Sequence, residues 1–156
     1  MDQPSVREAE WLAQGYVLWK GSGRFVPAIA RVFQRTEDSL RHFRIELRDE
    51  HSNGAGRVHG GFISTLADIW LAGALADRLP ADARFVTASL QVDFLEALWP
   101  GDWIESSIDW CRPGKRLCQV AGRMRSAERD VVAMRAVFSI LSPARQGVAR
   151  DGVRKG

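Results

Sequence analysis

Gly60-Gly61-Phe62-Ile63-Ser64-Thr65-Leu66-Ala67-Asp68-Ile69-Trp70-Leu71-Ala72-Gly73-Ala74-Leu75-Ala76 decides the fold. The run is longer than a typical strand and shows no strict alternation of apolar and polar residues, so it predicts one helix. That helix is apolar nearly all round and must be buried on most sides. The loop-forming residues His51-Ser52-Asn53-Gly54-Ala55-Gly56 precede it, and Pro80 lies beyond its end.

On either side the period changes. Leu40 to Leu47 sets Phe43, Ile45 and Leu47 against Arg44, Glu46 and Arg48, the period-two pattern of a half-buried strand. Arg24 to Arg35, after the turn residues Gly21-Ser22-Gly23, also reads as strand-like. Four more strands follow the helix. In Phe85 to Leu95, the pattern puts Val86, Leu90, Val92 and Phe94 on one face. Thr87, Ser89, Gln91 and Asp93 take the other. Trp103 to Arg112 and Lys115 to Ala127 form a hairpin around Pro113-Gly114. Val131 to Leu141 closes the set. Ser5-Val6-Arg7-Glu8 is a capping box opening a short helix that ends near Gly15. One buried helix among about six mostly consecutive strands indicates an α+β fold, with an antiparallel sheet curled around the helix. No repeat, low-complexity stretch or linker interrupts the chain, so residues 1–156 parse as a single domain.

Composition limits the function classes. The 156 residues are 46% apolar and 26% charged, enough for a real core, and no segment is long and apolar enough to span a bilayer. The N-terminus has no signal-like apolar region, so a cytoplasmic protein with no membrane partner is expected. The net charge of +3 resides in the tail 145–156, where Arg145, Arg150, Arg154 and Lys155 face only Asp151. The rest is neutral, which argues against a nucleic-acid partner and makes the tail a solvated, frayed segment. Cys111 and Cys118 flank Pro113-Gly114. If Arg112 pairs with Lys115, Cys118 lies opposite Asp109, and two free thiols are expected. The three histidines have no zinc-ligand spacing, and no nucleotide-binding motif occurs, so no metal or cofactor is expected.

Asp68 is the only ionisable side chain between Gly60 and Ala76. A carboxylate in such a helix is paired, exposed on a thin polar stripe, or functional. Gly60 and Gly61 open the helix, where backbone amides lack intrahelical partners and the macrodipole is positive. They make either a tight loop–helix junction or a site that polarises a carbonyl. Gly60 and Asp68 lie eight residues apart, roughly 12 Å along one helix. Attack on a carbonyl requires atoms about 3–3.5 Å apart. If both residues are catalytic, a second copy of the helix must supply one of them, across a two-fold axis.

The ordered stretch His51 to Asp68 resembles the signature of hotdog-fold acyl-CoA thioesterases, and among them the phenylacetate-pathway (PaaI-type) group. Asn53 is followed six residues on by His59-Gly60-Gly61, and Leu66-Ala67-Asp68 ends nine residues past the histidine. Val86 to Leu95, Pro100-Gly101-Asp102 and Gly114-Lys115-Arg116-Leu117 continue the likeness, which covers roughly Leu40 to Leu141. It implies an acyl-CoA substrate, a homodimer and a plausible homotetramer. Asp68 would be the general base or the nucleophile. The Gly60 amide of the partner chain would polarise the thioester carbonyl. Asn53 would hold the water or the Asp68 carboxylate, and His59 would bond near the thioester or fix the loop. Thr87 could orient the water, or be an ordinary outward strand threonine. Gly61 and Phe62 would contact substrate. Arg112, Lys115 and Arg116, with Arg123 and Arg125, would grip the CoA phosphates or form a solvated basic face. Phe62, Trp70, Leu95 and Trp99 could shape the acyl pocket. A non-catalytic acyl-CoA-binding protein and a hydroxyacyl-thioester dehydratase are the alternative readings.

Overall fold

A computed structural model describes residues 3–21 and 23–141 of the chain. The basic tail 145–156 lies outside the described residues. Helix α1 (Val6–Ala13) leads to a two-residue strand β1 (Val17–Leu18), a short helix α2 (Phe25–Ile29), and strands β2 (Phe33–Glu37) and β3 (Leu40–Glu46). The long helix α3 (Gly60–Ala76) follows, then β4 (Phe85–Phe94), β5 (Trp103–Arg112), β6 (Leu117–Ser126) and β7 (Arg129–Ile140). All seven strands form one antiparallel sheet in the order β1-β2-β3-β5-β6-β7-β4. The architecture is α+β, one sheet wrapped around one long helix, as the periodicity predicts.

The apolar helix explains the wrap. Ile63, Leu66, Ala67, Trp70, Leu71, Ala74 and Leu75 of α3 are all buried, against Phe43, Ile45, Ile104, Val120, Met134 and Phe138 of the sheet. Gly73 lets the helix approach closely: a Cβ there would lie 3.0 Å from the Phe43 ring. Among the described residues no helix is long and apolar enough to cross a membrane.

Three local readings are corrected. Arg24 to Arg35 is not one strand. Pro27 has no amide hydrogen to give a sheet ladder, and is tolerated in the first turn of α2, where amides lack intrahelical partners. Only Phe33 onward joins the sheet. The β5–β6 hairpin is wider than a turn at Pro113-Gly114. Arg112 pairs with Gln119 and Cys111 with Val120, while Asp109 is skipped in the register. Cys118 therefore does not oppose Asp109. Both cysteines are free thiols, and Cys118 Sγ meets the Gly114 amide at 3.3 Å. Third, β4 changes phase. Thr87 pairs with Phe138 and Ser89 with Val137, leaving Ala88 as a bulge. Phe85 joins Leu90 and Val92 against the core, and Val86 is exposed.

Helix α1 covers the other face of the sheet, where Trp11, Tyr16 and Phe33 form a small second core against Trp103. Its capping box is formed by Ser5 and Glu8. Glu8 is 1% exposed and accepts hydrogen bonds from Arg31 and Arg48. Removing it leaves two part-buried guanidinium groups short of an acceptor. Glu8→Ala should cost about 2 kcal/mol in urea unfolding, with Glu8→Gln retaining part of that stability.

Candidate active site

The N-terminus of α3 is built around His59. Its Nδ1 accepts a hydrogen bond from the Gly61 amide at 2.9 Å, and its carbonyl accepts from Phe62 and Ile63. Gly61 leaves room for that cap, since a Cβ there would lie 3.0 Å from the imidazole. The Gly60 amide has no acceptor among the described residues. Beside it, Asn53 Oδ1 closes the preceding loop by accepting from the amides of Ala55 and Arg57. Asn53, Arg57, Gly60, Phe94 and Leu95 line a cleft of about 320 Å³.

Asp68 opens onto a different cavity. It is half-buried, and its Oδ1 accepts a hydrogen bond from Thr87 Oγ1 at 2.7 Å. The bulge at Ala88 makes this contact possible, because it turns Thr87 toward the helix. Among the described residues no cation pairs with Asp68, and Oδ2 has no hydrogen-bond donor. The cavity measures about 600 Å³ and is walled by Trp19, Phe25, Val26, Ile69, Ala72 and Phe85, with Arg41 in its lining.

One chain thus holds the predicted residues in two groups. Asn53, His59, Gly60 and Gly61 cluster at the start of α3, whereas Asp68 lies two helical turns on, with Thr87 of β4 beside it. Within one chain Asn53 does not touch Asp68. Phe62 lines neither cavity; its ring stacks on His51 at 4.0 Å. Trp70 is in the core, stacked on Phe43, and Trp99 lies under Arg57 outside both cavities. Of the expected pocket residues only Leu95 lines a cavity, the smaller one. Besides α3 and Arg41, the larger one is walled by Trp19, by Phe85, and by Phe25, Val26 and Pro27, which a strand reading of Arg24 to Arg35 conceals.

The basic hairpin is less basic than it reads. Arg123 pairs with Asp109 and Asp130, and Arg125 with Asp130 and Glu128, from just beyond the acid-free run. Arg112, Lys115 and Arg116 are exposed, line neither cavity, and pair with no carboxylate among the described residues. Arg112 rests on the Trp110 ring. Among the described residues no three His, Cys, Asp or Glu side chains converge as metal ligands would.

A family model described as the thioesterase superfamily matches residues 55–133. The chain belongs to the thioesterase superfamily. A Pseudomonas aeruginosa protein provisionally named an esterase is 34% identical over 106 residues, covering 67% of this chain and 79% of that protein. The fold is the hotdog fold. A mutant of the phenylacetic acid degradation protein PaaI from Thermus thermophilus superposes with a TM-score of 0.65 at 24% identity, over 75% of this chain and 98% of that one. A hypothetical thioesterase from Streptococcus pneumoniae, solved with coenzyme A, gives 0.63 at 16% identity, over 74% and 91%.

His51 supports the thioesterase loop from below. Its Nδ1 accepts from the Arg48 amide and its Nε2 donates to the Ile29 carbonyl, which fixes a neutral ring. Burial pushes its pKa below the ordinary 6.5. As pH falls through that value the unfolded chain takes up the proton first, so stability present above it is lost below it. The melting temperature should fall between about pH 7.5 and about pH 5.5, and His51→Gln should flatten that slope. Independently, His59→Ala should lose about 1 kcal/mol of stability, and His59→Asn, which keeps a capping acceptor, should retain it.

Proposed function

We propose that the protein hydrolyses acyl-CoA thioesters to the free acid and CoA, in a site shared by two copies of the chain. The observation that carries the reading is the half-buried Asp68, held through Oδ1 by Thr87 with Oδ2 free at a mostly apolar cavity. Oδ2 takes a proton from water as the water oxygen attacks the thioester carbon, or itself attacks that carbon. Either route uses the same free oxygen. The carbonyl oxygen becomes an oxyanion beside the Gly60 amide of the second copy. Its collapse expels the CoA thiolate, which takes the proton from Oδ2 where water attacked; where Oδ2 attacked, an acyl–Asp68 anhydride remains, and water hydrolyses it to the free acid, freeing Asp68 and supplying the thiolate's proton. Asn53 of that copy orients the water through its amide nitrogen, and His59 holds the first turn of α3 in place. No cofactor is needed.

The sheet edge supports the pairing. Strand β4 is an edge strand, with exposed Val86 and Phe94. Thr87, near its start, touches Asp68, and the Phe94 ring, at its end, lies over Gly60. Two β4 strands paired antiparallel about Leu90 and Gln91 would bring Thr87 of one copy opposite Phe94 of the other. Asp68 and the second Gly60 would then meet. Within the β5–β6 hairpin, Arg112, Lys115 and Arg116 are the basic residues without a carboxylate partner among the described residues, and would meet the CoA phosphates. Free thiols suit the reducing cytoplasm.

Thiol release from a panel of aliphatic and aromatic acyl-CoAs tests the reading. Asp68→Asn should lower kcat by about 10³-fold with the dimer intact. Equal rates in both proteins would return Asp68 to a structural role. No release from any thioester would favour a binding protein.

A further inference from the structure

The cavity beside Asp68 does not end in hydrocarbon. Arg41, in β3, lines it. Three bonds hold this side chain and its backbone. The Arg41 amide donates to Asp77 Oδ2 at 3.0 Å, Nε to Asp77 Oδ1 at 2.7 Å, and Nη2 to the Gly73 carbonyl at 3.1 Å. Nη1 has no acceptor among the described residues. Gly73 lies five residues past Asp68, so the point where the guanidinium is anchored lies roughly 7.5 Å further along the helix axis than Asp68. Along this face α3 turns Ala72, Gly73 and Ala76 to the cavity, which leaves room for a chain under Trp19 and Phe85.

We infer that Arg41 determines specificity, and that the substrate is a medium-length acyl thioester with an uncharged oxygen near its far end. The inference rests on the thioesterase reading above. A guanidinium only donates. A hydrocarbon tail would strip water from Nη1 and give it no acceptor, which is costly. A carboxylate would bring a second anion to a cation that Asp77 already neutralises, leaving one negative charge unpaired. A hydroxyl or carbonyl oxygen satisfies the donor without adding charge.

Thiol release is compared for hexanoyl-CoA, ω-hydroxyhexanoyl-CoA and adipoyl-CoA. The wild type should favour the ω-hydroxy thioester over hexanoyl-CoA by about tenfold in kcat/KM, and Arg41→Met should bring that ratio to about one. Asp77→Asn keeps the shape of the clamp and uncovers the arginine charge. It should raise adipoyl-CoA relative to the ω-hydroxy thioester by about tenfold. Equal wild-type kcat/KM for the hexanoyl and ω-hydroxy thioesters, or a preference that survives Arg41→Met, overturns the inference. Should Arg41→Met fail to fold, an unchanged adipoyl ratio in Asp77→Asn overturns it instead. If the wild type hydrolyses other thioesters of the aliphatic and aromatic panel but none of these three, the inference is overturned; if it hydrolyses none at all, the thioesterase reading is what fails. Calorimetric titration of the same thioesters then reads the cavity alone: tightest binding of the ω-hydroxy compound upholds the assignment, and equal affinities overturn it.

Discussion

A seventeen-residue helix with apolar side chains on every face cannot rest on a flat sheet. A flat sheet covers one stripe, and the remaining faces would stay in water at roughly 25 cal/mol for each Å² of apolar surface. The sheet must therefore curl, and strands β3 and β5 to β7 take up Trp70, Leu66, Leu71 and Leu75 on successive sides. Residues that do not fit this cover mark where it ends. Asp68 lies at such a gap, and so do Ala72 and Ala76, whose small side chains leave the larger cavity open.

The same gap depends on two irregularities in the strands and loops around it. Without the extra residue at Ala88, the parity of β4 would send the Thr87 hydroxyl to solvent and leave Asp68 without its hydrogen bond. Without Pro27, the segment after Gly21 could have extended as a strand; as α2 it folds over the cavity and supplies Phe25 and Val26 to its wall. His51 ties that short helix to the loop carrying Asn53, through the Ile29 carbonyl. The wall of the Asp68 cavity and the loop before Gly60 are thus linked by one imidazole.

These irregularities also separate what can be read from the sequence from what cannot. Helix α3, the antiparallel sheet and the α1 capping box follow from periodicity and cap chemistry, which are local. Asp68 stands out because one charge in an apolar helix needs a reason, and Gly60 because a helix start needs a partner for its amides. The face of Thr87 was not legible, because a bulge carries no fixed residue signature and its insertion reverses a period of two. The β5–β6 register was hidden by a tempting Pro-Gly turn, because the connection between Arg112 and its partner Gln119 is wider than two residues. Arg41 and Asp77 are 36 residues apart, and neither has a local pattern that announces the other. Phe62 and Trp70 looked like pocket residues only because size and apolarity do not say which way a side chain points.

The spacing of Gly60 and Asp68 has a chemical logic beyond the need for two copies in the proposed site. A carboxylate in the first turn of α3 would draw the free amides there to itself, since those amides and the macrodipole both favour an anion. The donors an oxyanion needs would then be occupied in the resting protein. The effect falls off within a turn, and Asp68 is two turns away, so it leaves the Gly60 amide unengaged. His59 takes the Gly61 amide as a neutral cap and likewise adds no anion. In the proposed pair, the acid comes from one helix and the open amide from the other. Each helix then keeps its own N-terminus vacant for the thioester carbonyl, which would lie between that amide and the carboxylate of the other copy.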